Sequence, residues 1–125
     1  MNGVVLDTGA LIALERGDRA VKVLVAEAQR TRATLTLPAG CIAQAWRDPA
    51  RQARLASFLR SPDVDVVAMD DAEARRVGLL LAGTGASDIA DGHVALCAIR
   101  LDAAVLTSDP EDIRQLGPNL RIHRV

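Results

Sequence analysis

A chain of 125 residues, half of them hydrophobic, has the size and composition of one domain around one well-buried core. With one Trp, one Phe and no Tyr, that core is built from Ala, Val, Leu and Ile, and aromatic base-stacking platforms are excluded. A formal net charge of −1 creates no global field that attracts nucleic acid, so any basic patch is local. Val4-Val5-Leu6 reads as a short buried strand. It stops at Asp7-Thr8-Gly9, and an Asp or Thr in front of an apolar-periodic segment is a helix N-cap signal. Ala10 to Arg16 follows as a short helix, stopped by Gly17-Asp18. The next helix runs from about Arg19 to Arg32, with Val21, Leu24, Val25 and Ala28 at inward spacing. Thr34 to Pro38 alternates and is rich in Thr, which predicts a second strand ended by Pro. Ala39 to Trp46 reads as a helix, and Asp48-Pro49 as the cap and first position of another. In that helix Ala53, Leu55, Ala56, Phe58 and Leu59 turn inward, and Arg51 and Arg54 outward.

Val64 to Met69 predicts a third strand, and Asp70-Asp71-Ala72-Glu73 opens a helix with acids in its first turn, favourable to the helix dipole. That helix ends at Gly83-Thr84-Gly85. Ser87 to Arg100 is apolar nearly all round and predicts a deeply buried helix. Ala103 to Leu106 is a fourth strand, ending in Thr107-Ser108-Asp109-Pro110. A short helix, Glu111 to Leu116, and an edge strand at Arg121-Ile122-His123 complete the chain. Strands alternating with helices predict a single α/β domain, residues 1–125, with a parallel sheet between helical layers. Cys41 and Cys97 sit in apolar surroundings without zinc-ligand spacing and read as reduced core thiols. The N-terminus lacks a basic segment followed by a long apolar one, and no run is long enough for a membrane span. The expected location is therefore cytoplasmic, with no membrane partner.

Asp7 follows strand one as Asp109 follows strand four. If those strands are neighbours at the sheet's switch point, the two carboxylates face each other across its mouth, where open α/β sheets bind ligands. Asp88 and Asp91 open the helix that feeds strand four, spaced i to i+3 and so roughly on one face. Each acid also has a plain structural reading. Asp7, Asp88 and Asp109 can cap helices, and Asp112 sits favourably near a helix dipole. Asp91 is the exception, because it precedes a helix apolar on all sides. A buried carboxylate without a partner protonates or destabilises the fold, and no lysine is nearby. A hard divalent cation resolves this, and oxygen-only ligands favour Mg²⁺ or Mn²⁺ over Zn²⁺.

Leu6-Asp7-Thr8-Gly9-Ala10-Leu11, Ile89-Ala90-Asp91, and Leu106-Thr107-Ser108-Asp109 with Asp112 together resemble the motifs of PIN-domain ribonucleases, and among them the VapC-type toxins of bacterial toxin–antitoxin pairs. The resemblance spans essentially the whole chain. It implies a PIN-like three-layer α/β/α sandwich with a mainly parallel sheet of four to five strands. It further implies a Mg²⁺- or Mn²⁺-dependent endoribonuclease in which Asp7, Asp91 and Asp109 hold metal within one shell at the carboxyl edge of the sheet, supported by Asp112 or Asp88. An RNA substrate, a cognate antitoxin that blocks the site, and homodimerisation belong to the same implication.

One position departs from that pattern. The family carries a Glu on the helix after strand two, and the matching residue here is Gln44. Its amide oxygen can bind a cation or a water but brings no charge and cannot act as a base. Thr8 and Thr107 are candidates to hydrogen-bond the carboxylates or a scissile phosphate, and equally turn residues. Arg47, Arg51 and Arg54 are candidates for a phosphate-binding rim, and equally a solvated helix face. His93, two positions after Asp91, points to a different helix face and reads as packed or at the rim, and Trp46 as core or an interface anchor. Other carboxylate-rimmed folds fit worse. An aspartyl-phosphate phosphotransferase wants a second Asp where Gly9 stands, a receiver domain wants a lysine at a late strand end, and Gly83-Thr84-Gly85 lacks the Lys of a P-loop. The alternative to an enzyme is a PIN-fold protein-binding module, catalytically weak because of Gln44.

Overall fold

Apolar runs of three or four residues are too short for helices, and in the computed structural model, which describes residues 3–125, they form the central strands. The elements are β1 (Val4–Leu6), α1 (Thr8–Glu15), α2 (Arg19–Arg30), β2 (Leu35–Pro38), α3 (Ala39–Ala45), α4 (Ala53–Leu59), β3 (Val64–Val67), α5 (Asp71–Thr84), α6 (Ile89–Leu101), β4 (Ala104–Thr107), α7 (Pro110–Leu116) and β5 (Ile122–Arg124). The sheet order is β3-β2-β1-β4-β5 and every pairing is parallel. β1, β2 and β4 are buried along their whole length, whereas the edge strands β3 and β5 are half exposed. That contrast is expected of a parallel sheet covered on both faces.

From β1 the chain steps outward to β2 and β3, then returns across the sheet to β4 and β5. Right-handed crossovers put the helices of the two directions on opposite faces. Accordingly α1 packs with α2, α3 and α4, while α5, α6 and α7 pack with one another. The result is a three-layer α/β/α sandwich whose direction changes between β1 and β4. Leu6 pairs with Leu106, so the carboxyl ends of these two strands finish side by side. α3 and α6 also touch, bringing the two helical layers together.

Two sequence expectations are corrected. Asp48-Pro49 does not start a helix. Asp48 closes a turn on Ala50 N, and α4 begins only at Ala53 with Gln52 as its N-cap. The Gln52 side chain accepts from the backbone N–H groups of Arg47 and Asp48 and donates to Ala45 O, so a side chain, rather than a helix, satisfies this stretch. Nor is α6 buried all round. Small residues, Ala90, Gly92, Ala95 and Ala98, share its inner face with Val94 and Cys97, while Ile89 is 64% and Ile99 51% exposed. Gly92 allows that inner face to come close: a Cβ there would lie 3.0 Å from both Val77 and Leu81 of α5. Cys41 and Cys97 are buried free thiols.

Candidate functional site

The edge at the switch point is assembled from strand ends and helix starts. Asp7 leaves β1 in extended conformation and its carboxylate accepts from Ala10 N at 2.8 Å, capping α1. Its backbone N–H still pairs with Leu106 O, so the residue is fixed from both sides. Thr107, fully buried at the end of β4, links the two strand ends: its hydroxyl hydrogen-bonds the Asp7 carboxylate and accepts from Asp109 N at 2.9 Å. Asp109 occupies the N-cap position of α7 with Pro110 next, yet its side chain makes no cap hydrogen bond. Asp88, in contrast, caps α6 by accepting from Asp91 N at 2.9 Å. Capping therefore accounts for one oxygen of Asp7 and one of Asp88, and for none of Asp109.

Gly9 lets the β4–α7 loop reach this edge. A Cβ at Gly9 would stand 2.0 Å from Ser108 Oγ and 2.8 Å from Ser108 Cβ. Gly9→Ala therefore forces the Ser108-Asp109 loop away from α1. Overpacking costs about 1–3 kcal/mol, offset by up to about 1 kcal/mol of better helix propensity. A urea melt should show a net loss of about 1–2 kcal/mol.

Electrostatics tie the acids together. The Asp91 carboxyl is pushed up from 3.8 to about 6, by burial first and then by Asp88, Asp112, Asp7 and Asp109, in that order. Burial also raises Asp7, as does Asp109, against the Thr107 hydroxyl and the amides of Ala10 and Gly9, which lower it. Five carboxylates thus feel one another at a single edge of a chain that is almost neutral overall. They are spaced more loosely than a closed ligand set: among the described residues only Glu73, His93 and Cys97 bring three ligand atoms within 4.8 Å of one another. The donor set, carboxylate oxygens held partly out of water, fits a hard divalent cation. A cleft of about 250 Å³ lined by Ser87, Asp88, Asp91, Asp112 and Gln115 opens on one side, and one of about 530 Å³ lined by Gly9, Ile12, Arg16 and Ser108 on another.

The other sequence candidates fall in different places. Thr8 donates its hydroxyl proton to Gln44 Oε1 at 2.6 Å, so both belong to this edge. Arg47 donates to the carbonyls of Ala43 and Trp46 at the end of α3. Arg51 is exposed and its nearest acid is Asp48 at 3.5 Å. Arg54 donates to Glu15 O, at the opposite end of α1 from Asp7, and lines a groove of about 870 Å³ between α2 and α4. Eight helical residues at 1.5 Å each put its Glu15 contact roughly 12 Å along α1 from Asp7.

A second polar cluster was not legible in the sequence. Glu73, an acid of the first turn of α5, is buried and accepts both guanidinium N–H groups of Arg100 at 2.8 Å. His93, fully buried, hydrogen-bonds the same carboxylate through Nε2 at 2.8 Å, and its Nδ1 has no partner. Arg100 first, and His93 after it, hold the Glu73 carboxyl down to about 2. Burial pushes the Cys97 thiol up to about 11. A carboxylate occupied by a guanidinium fork beside a protonated thiol is a poor cation site, and this cluster reads as an ion-paired clamp between α5 and α6. Its partners lie 20 and 27 residues from Glu73, beyond any local pattern.

With this geometry in hand, comparison with known proteins is specific. Residues 4–117 match the model of the PIN domain. No curated protein matches the chain. Among solved structures, a chain from the crystal structure of VapBC2 from Rickettsia felis, bound to a DNA fragment from their promoter, is similar in fold, with a TM-score of 0.72 and 16% identity. The match covers 98% of each chain. The sheet order, the acid-lined switch point and the family match agree, and the chain belongs to the PIN domain family.

Proposed function

We propose that this chain is a divalent-cation-dependent endoribonuclease and the toxin of a toxin–antitoxin pair. In this reading Asp7, Asp91 and Asp109 hold Mg²⁺ or Mn²⁺, with Asp88 and Asp112 as supporting carboxylates. The observation that carries it is the gathering of these acids at the switch point, where Asp7 and Asp109 share the Thr107 hydroxyl and Asp88, Asp91 and Asp112 line one cleft, with the Asp91 carboxyl raised by burial and by its acidic neighbours. A site that crowds negative charge at such cost is built for a cation, which when bound activates a water and neutralises the departing oxygen of a phosphodiester. The protein's own part is positional. Asp7 is fixed by Ala10 N, Gly9 N and the Thr107 hydroxyl, and Asp109 is held to the same hydroxyl through its backbone N–H. Thr107 thereby keeps the two acids in register, and the clefts on either side leave room for a polynucleotide strand.

The antitoxin partner is inferred from the fold's likeness to a chain of a VapBC complex. Homodimerisation belongs to the same reading, and the exposed apolar side chains of Leu79, Ile89 and Ile99 offer surface for it. No helix of the described residues is long and apolar enough to cross a membrane, in keeping with a cytoplasmic protein. The test is cleavage of RNA by the purified protein. Activity should require Mg²⁺ or Mn²⁺, stop with EDTA, and fall by at least about 100-fold in Asp7→Asn. Cleavage that survives in Asp7→Asn, or needs no cation, would mean that the acids are not the site.

A further inference from the structure

Gln44 is exposed on α3, and its carboxamide is oriented by the Thr8 hydroxyl. Thr8 has one hydroxyl proton and gives it to Gln44 Oε1 at 2.6 Å. One lone pair of the amide oxygen is thereby taken, and the amide nitrogen, with two protons, makes no hydrogen bond among the described residues.

We propose that Gln44 is a phosphate-binding residue: its Nε2 donates to a phosphodiester oxygen of the RNA strand, while the Thr8 hydroxyl holds its oxygen. This rests on the nuclease reading above and refines it. A carboxylate at this position would bring negative charge and no donor toward a polyanion; the carboxamide brings two N–H donors and no charge.

The experiment measures Mn²⁺ binding by calorimetry on the protein alone, and binding of a labelled single-stranded RNA 12-mer by fluorescence anisotropy in Ca²⁺, with the RNA checked intact on a gel. Parent, Gln44→Ala, Gln44→Glu and Asp7→Asn are compared. Gln44→Ala should weaken RNA binding about two- to tenfold, the worth of one hydrogen bond, and leave Mn²⁺ affinity within about twofold. Gln44→Glu should split the two readings in opposite directions, with Mn²⁺ bound more tightly and RNA more weakly than in the parent. Equal losses of Mn²⁺ and RNA affinity in Gln44→Ala would make the amide oxygen a metal ligand and overturn the proposal. So would RNA affinity unchanged in Gln44→Ala, or raised in Gln44→Glu, while the parent binds both probes and Asp7→Asn loses Mn²⁺; in those cases the nuclease reading stands. A parent that binds neither probe overturns both.

Discussion

Without metal at pH 7, Asp91→Asn should melt roughly 3–8 °C above the parent, and in saturating Mn²⁺ the order should reverse. The carboxyl of Asp91 rises from 3.8 to about 6 on folding, so the folded state binds its proton more tightly than the unfolded chain. Such a group costs nothing below pH 4, where both states are protonated, and imposes its full penalty above pH 6, where both are ionised. Parent stability therefore falls as pH rises through this window. Because the side chain is only partly buried, the shift is discounted for solvent screening to about 1–2 kcal/mol. Asn keeps the shape and removes the charge, so the slope between pH 4 and 6 should flatten in the variant, leaving the smaller contribution of Asp7, which has the same sign. Mn²⁺ stabilises only what binds it in the native state, and that increment should shrink or vanish with Asp91 gone. Melts of the two proteins in EDTA and in Mn²⁺, at four pH values, read all of this. A variant less stable than the parent in EDTA would show that Asp91 serves the fold and not a cation.

Glu73→Ala should be the most destabilising single change outside the apolar core, at about 2–4 kcal/mol. It leaves His93, fully buried, with neither ring nitrogen bonded, and frees the Arg100 guanidinium. Arg100 can turn to water because its side chain is 41% exposed; His93 cannot. Glu73→Gln keeps one oxygen as acceptor and should lose less. The pH dependence has the opposite sign to that of Asp91. The Glu73 carboxyl is held down to about 2 from an ordinary 4.5, so its contribution is complete above pH 4.5 and lost as pH falls toward 2. In Glu73→Gln that part of the acid limb should disappear. Urea melts of the parent and both variants at pH 3 and pH 7 provide the measurement, and a loss under about 0.5 kcal/mol for Glu73→Ala would remove the clamp from the account.

What the sequence disclosed follows from the range of each interaction. Strands such as Val4–Leu6 and Ala104–Thr107 are legible because burial on both faces demands continuous apolar residues, and the parallel sandwich follows from their alternation with helices. Asp7, Asp88 and Asp109 are legible as strand-end or helix-start residues, since caps are local. Which of them spends its carboxylate on capping was not, because that depends on the angle at which each loop leaves its strand. Asp48-Pro49 has the same local chemistry as Asp109-Pro110, yet only the latter starts a helix; the Gln52 side chain takes over the donors of the former. α6 misled in another way. Apolar composition all round does not assign faces, and its small residues, which carry little hydrophobic signal, hold the inner one. The Glu73 clamp joins residues far apart in sequence through a charge that periodicity counts as exposed.

The pairing of β1 with β4 also has a consequence for synthesis. β1 can pair early with β2 but waits about a hundred residues for β4, and the sequence separation of that second pairing is accordingly large. Until residues 104–107 emerge, Asp7 has no Leu106 carbonyl to fix its backbone and no Thr107 hydroxyl to hold its carboxylate, and Asp109 does not yet exist. A nascent or truncated chain can carry the α1–α4 layer and still lack the acid edge. In the proposed toxin, potency would then arrive all at once, with residues 104–109, and a chain stalled before them would be harmless to the cell that is making it.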